Sequence, residues 1–133
     1  MKLTILKSRS MPALATLLTT GAALFVMAHA IPARADAASG KNDFSACAAC
    51  HSTTGSDGVG PHLNGVIGRK AGSVSGFNYS RAMKQANIVW NDQTLAAFLA
   101  DPQKSVPGNH MPFSGLQDAT QRADIVAYLK TLR

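Results

Sequence analysis

Two thiols and an imidazole stand together in this chain. Cys47-Ala48-Ala49-Cys50-His51 reads C-x-x-C-H, and its two cysteines are the only ones present. That spacing is the attachment signature of a c-type haem. Thiols three residues apart on one helical turn can each form a thioether to a haem vinyl group. The next residue, His51, is then held under the porphyrin, where an imidazole nitrogen can bind iron. A structural zinc site would need more Cys or His at ligand spacing. A redox-active pair would need a βαβ setting, and strand patterns are sparse here.

The N-terminus reads as a leader. Lys2, Lys7 and Arg9 are basic, residues 11–33 carry no charge, and Ala33-Arg34-Ala35 has the A-x-A form of a cleavage site. Residues 1–35 are therefore expected to be a cleaved secretory signal peptide, and residues 36–133 the folded domain. The alternative is an uncleaved segment anchoring the chain in a membrane. Thr16, Thr19, Thr20, Gly21 and His29 dilute the apolar run and favour a leader.

The leader also distorts the charge. The full chain is formally +6, but four of its thirteen basic residues lie before position 36. Residues 36–133 keep nine basic residues against seven acids, a net of +2. That speaks against nucleic-acid binding. Ninety-eight residues make one domain with a modest core of its own. An apolar porphyrin would enlarge it.

The periodicity predicts helices separated by long loops. Residues 39–50 suit a helix, with Ser39 or Asn42 as N-cap. Glycine-rich loops follow His51. Ser80 can cap a short helix over residues 81–85. Asn91 or Asp92 can cap another, with Leu95, Phe98 and Leu99 as its apolar stripe and Pro102 as its end. Residues 103–115 read as loop. Asp118 starts a last helix, with Gln121 completing a capping box and Ile125, Tyr128, Leu129 and Leu132 on one face.

His51 would fill one axial position of a haem iron. His62, His110, Met83 and Met111 are candidates for the other. Met111 is best placed, in a proline-stiffened loop sixty residues beyond His51. Met83 also suits core packing, and His62 suits a surface.

From residue 40 to 132 the chain resembles class I c-type cytochromes, close to bacterial cytochrome c2 and mitochondrial cytochrome c. The resemblance rests on Gly40-x-x-x-Phe44, Cys47-Ala48-Ala49-Cys50-His51, Gly60-Pro61-x-Leu63-x-Gly65, Gly68-Arg69-Lys70 and Gly76-Phe77-x-Tyr79-Ser80. Trp90, Val106-Pro107-Gly108-x-x-Met111-x-Phe113 and Tyr128-Leu129 complete it. It implies a small all-α fold, three to five helices and long loops wrapped around one covalent haem c. Cys47 and Cys50 would be the thioether tethers, and His51 and Met111 the axial ligands. The Pro61 carbonyl would accept a hydrogen bond from His51, while Arg69, Tyr79, Trp90 and Asn109 would serve the propionates. The helices carrying Phe44 and Tyr128 would cross, with Gly40 allowing close approach. Phe98 and Met83 stand where many relatives have Tyr and Asn, and His110 where Lys is common.

The function implied is one-electron transport by a monomer in the periplasm. Its partners would be membrane complexes met transiently: a bc1-type donor and a terminal oxidase, reductase or reaction centre. An enzyme is not expected. The competing readings are a haem peroxidase and a ligand-binding or sensor cytochrome with a labile sixth ligand.

Overall fold

The computed structural model describes residues 34–133. Residues 1–33, which hold most of the expected leader, lie outside the described residues. Six helices follow: α1 (Ala37–Asp43), α2 (Ser45–Ala48), α3 (Arg81–Gln85), α4 (Asp92–Ala100), α5 (Pro102–Ser105) and α6 (Ala119–Leu129). Among the described residues no strand forms; one isolated antiparallel bridge joins Lys70 to Val89. The all-α expectation holds, with more helices than the three to five anticipated because α2 and α5 are single turns. Phe44 caps both α1 and α2 in right-handed helical conformation, so those two nearly make one helix.

The helix starts show which local signals prevailed. Ser80 accepts from the Met83 N–H at 3.1 Å and starts α3. Asn91 and Thr94 exchange side-chain-to-backbone bonds of 2.9 and 2.8 Å and start α4. Asp118 accepts from the N–H groups of Thr120 and Gln121 to start α6, without the return bond from Gln121 that a full box needs. Two expectations are corrected. The cap of α1 is Asp36, not Ser39 or Asn42. Its carboxylate accepts from the backbones of Ala38 and Ser39 and from the Ser39 hydroxyl. Pro102 follows the end of α4 but also opens α5, because the first helical position needs no N–H partner and suits its fixed φ. Asp101 caps that turn by accepting from Lys104 N–H at 2.9 Å.

The packing centres on the crossing of α1 and α6. An ideal Cβ on Gly40 would stand 1.9 Å from the Asp124 carbonyl oxygen, so the two backbones touch where only hydrogen fits. One turn on, the Phe44 and Tyr128 rings meet at 5.4 Å and 58°. Leu95, Phe98 and Leu99 of α4 are buried in the same cluster as Ile125, Val126 and Leu129 of α6. Trp90 meets Phe98 edge-on at 5.1 Å.

Gly40→Ala should therefore cost about 3 kcal/mol, the upper end of ordinary overpacking, because the Asp124 carbonyl it would meet is backbone and cannot rotate away. Guanidinium unfolding of the holoprotein measures it. The exposed Asn42→Ala on the same helix should stay within about 0.5 kcal/mol.

Candidate haem site

The helices enclose a cavity of about 390 Å³. Cys47, Cys50, His51, Met83, His110 and Met111 all line it, among mostly apolar walls. The turn carrying the C-x-x-C-H segment is held by its own backbone. Cys50 and His51 both donate N–H bonds to the Cys47 carbonyl, at 3.1 and 2.9 Å. Both thiols are free and half-buried. Burial, then the neighbouring Cys50, pushes the Cys47 thiol above its ordinary value. A thiol kept protonated at neutral pH is the opposite of the activated thiolate that a redox pair requires.

The His51 ring is fixed from behind. Its Nδ1 lies 2.7 Å from the Pro61 carbonyl, which can only accept, so Nδ1 carries the hydrogen. Nε2 then keeps a lone pair suited to a metal. An ideal Cβ on Gly60 would fall 2.4 Å from the ring, so a glycine must precede Pro61 for the chain to pass this close. The loop that presents Pro61 has several ties. Gly60 N–H donates to the Cys50 carbonyl, Gly58 N–H to the Gly60 carbonyl, and Leu63 N–H to the Ser52 carbonyl, at 2.8–2.9 Å.

Asp57 and His62 add a tie that sequence reasoning missed. Asp57 Oδ1 accepts from His62 N–H at 2.9 Å and lies 2.7 Å from His62 Nδ1. The His62 backbone N–H holds the Asp57 carboxyl below its usual value; burial is the next effect and opposes it, and the His62 ring and Arg69 add smaller lowering effects. The sequence offered only an Asp inside a glycine-rich loop. Unlike His110, His62 does not line the cavity.

Arg69, Tyr79 and Trp90, the expected propionate partners, all line the cavity. Arg69 donates to the carbonyls of His62 at 2.7 Å and Asn64 at 3.3 Å. Burial pulls its guanidinium below its usual value and pushes the Tyr79 phenol above its own. Asn109 is different and corrects the expectation. It is buried and absent from the cavity wall. Its Nδ2 donates to the carbonyls of Pro102 and Val106 at 2.8 and 2.9 Å, and its Oδ1 accepts from Met111 N–H at 2.8 Å. The amide is spent on the Pro102 and Val106 carbonyls and on the loop that presents Met111, leaving nothing for a propionate.

The donor set fits a haem. An apolar cavity carries two free thiols, an imidazole of fixed tautomer and a thioether. Its one guanidinium has only carbonyl partners, so a carboxylate would complete it. A family model for cytochrome c matches residues 37–133.

The chain belongs to the cytochrome c family. It is 46% identical over 100 residues to cytochrome c2 iso-2 of Magnetospirillum molischianum, covering 74% of this chain and 100% of that one. It is 48% identical over 98 residues to the cytochrome c-type cyt cy of Rhodobacter capsulatus, covering 73% of this chain and 49% of that one. The chain thus spans about half the length of that relative. Among solved structures, cytochrome cH from Methylobacterium extorquens superposes with a TM-score of 0.70 at 46% identity, covering 72% of this chain and 98% of that one. As a member of the cytochrome c family, the chain is a haem protein of electron transport, and its cofactor is covalent haem c.

Two outcomes follow from this geometry. Asn109→Ala removes one acceptor and two donor bonds from the Met111 loop and should cost about 2–3 kcal/mol. Hydrogen exchange should show the Met111 amide opening at least about tenfold faster, since a tenfold change needs only about 1.4 kcal/mol. Asp57 has a depressed carboxyl, so its contribution is present above the unfolded value near 3.8 and is lost as pH falls through the folded one. Asp57→Asn should flatten the acid limb of the stability curve, read as thermal midpoints across a pH series.

Proposed function

We propose that this cytochrome is a one-electron carrier whose iron is held by His51 and Met111. Cys47 and Cys50 are the thioether tethers. Arg69, Tyr79 and Trp90 serve the propionates. The observation that carries this reading is that one cavity receives both a histidine with its Nδ1 committed to Pro61 and a methionine whose own N–H is committed to Asn109.

When bound, the haem iron supplies a one-electron couple. The residues do the rest. His51 is held in one tautomer and one ring orientation, so its nitrogen need not reorganise. Met111 comes from a loop anchored at its backbone, so its thioether returns to one place. A thioether favours ferrous iron, and the apolar walls raise the potential further. If His51 and Met111 both hold the iron, the chain's own side chains would leave it no position for a substrate. That favours transport over the peroxidase and sensor readings.

The same reading extends to place and partners. Residues 1–35 are removed as a leader, and residues 36–133 act as a periplasmic monomer. Among the described residues no helix is long and apolar enough to cross a membrane. The donor is a bc1-type complex, and the acceptor an oxidase, reductase or reaction centre. A net charge of +2 over residues 36–133 suits brief encounters with little long-range steering.

Met111→Ala tests the ligation. Oxidised wild type should show the weak far-red band assigned to methionine sulfur–iron charge transfer, and the variant should lack it. The variant should bind cyanide quickly. Its potential should fall by on the order of 0.1 V, a fraction of the roughly 0.8 V that axial ligation spans. An unchanged band would transfer the role to Met83. Wild type without the band would point to His62 or His110.

A further inference from the structure

A buried carboxylate lies outside the site just described. Asp124 sits on α6 at the α1 crossing, 8% exposed. The ion pairs formed among the described residues are Asp57 with His62 and Asp92 with Lys130, and neither involves Asp124. Among the described residues its side chain receives one hydrogen bond, from the Asp36 backbone N–H to Oδ1 at 2.7 Å. A largely buried carboxylate that meets a neutral donor gains when that donor becomes a cation. The nitrogen that faces it belongs to the residue directly after Ala33-Arg34-Ala35, and Arg34, Ala35 and Asp36 are all exposed.

We propose that cleavage between Ala35 and Asp36 converts this nitrogen into the counter-ion of Asp124. The inference rests on the reading that residues 1–35 are a removed leader, and it names the bond that is cut. In the step, a leader peptidase adds water across the Ala35–Asp36 amide. The C–N bond breaks, the hydroxyl goes to the Ala35 carbonyl carbon to give a carboxylate, and the nitrogen leaves as an ammonium. The nitrogen already stands at hydrogen-bond distance, so the neutral contact becomes a charge-assisted one without movement. A cation at the start of α1 opposes that helix dipole. The Asp36 carboxylate, which caps the same turn, offsets it. The ammonium would then fasten the first residue of α1 to α6, one turn before Gly40 brings the two backbones into contact. Processing would complete the crossing rather than merely release the chain.

The intact mass of holoprotein exported from the full-length gene identifies the first residue. Two further holoproteins, exported with a different leader and beginning at Asp36 or at Ala35, test the pairing. In the second the Asp36 nitrogen remains an amide. Asp124→Asn is made in both, and guanidinium unfolding is compared. A mass beginning at Asp36, with the substitution lowering the folding constant at least about tenfold more in the Asp36 chain, supports the proposal; bonds to charged groups are worth that much. Equal losses would overturn the pairing while leaving the cleavage standing. A first residue other than Asp36 would overturn the leader boundary itself. If Asp124→Asn does not fold, the α-amine of the unsubstituted proteins is labelled with an acylating reagent. The amine of the Asp36 chain should react several-fold more slowly, and equal rates would sink the idea.

Discussion

Phe44, Val66, Trp90, Leu95, Phe98 and Ile125 belong to the hydrophobic core and also wall the haem cavity. Among the described residues, most of the core is therefore also the wall of the site. A cavity of about 390 Å³, at about 24 cal/mol per Å³, corresponds to roughly 9 kcal/mol of packing. That is comparable with the whole stability of a typical domain, about 5–15 kcal/mol. Filling this space with the covalently held haem would therefore contribute much of the domain's stability. The residues that look structural and those that look functional are the same residues because a domain of this size cannot separate the two roles.

The two sides of the site are held by different means. His51 is controlled locally: its neighbours tether it, and Pro61, ten residues away, fixes its ring. Met111 has no such neighbour. Its loop is closed by Asn109, whose amide reaches back to the Pro102 and Val106 carbonyls, at the start and just past the end of α5, and forward to the Met111 nitrogen. Gln103 adds a bond from its side chain to the Asn109 carbonyl at 3.1 Å. Farther along, Leu116 N–H donates to the Leu99 carbonyl at 2.8 Å and ties the loop's exit to α4. Both devices act on backbone, and backbone anchoring gives a side chain a repeatable position.

What was legible in the sequence was short-range chemistry. Ser80, Asn91 and Asp118 each cap a helix through bonds spanning two or three residues, so their roles follow from identity and offset. Lining of the cavity by Cys47, Cys50, His51 and Met111 was legible because motif spacing encodes it. Residues with two equally good local uses were misread. Pro102 cannot continue a helix, but it can start one, and both are true here. Asn109 has donors fit for a propionate or for backbone carbonyls, and those of Pro102 and Val106 are nearer. Ser39 and Asn42 were the expected caps of α1, yet Asp36 caps it through bonds of the same short span, to the Ala38 and Ser39 N–H groups. The Asp57–His62 tie depends on a loop path that no periodicity describes.

The polar groups around the cavity also explain how its interior stays apolar. The His51 Nδ1 hydrogen is spent on Pro61, and the Asn109 amide is spent within its loop. Arg69 and Tyr79 stand in the wall where burial disfavours their charged forms. Met83 and Phe98, at positions where the resemblance leads to Asn and Tyr, bring only apolar surface to the cavity. On the proposed ligation, His51 and Met111 would be the side chains offered to the iron, in a wall that is mostly apolar. Ligand identity and burial, rather than a polar network near the Met111 sulfur, become the levers that set the potential. Restoring a hydroxyl by Phe98→Tyr would add back one polar group at a single wall position, and the shift in potential would measure what its absence contributes.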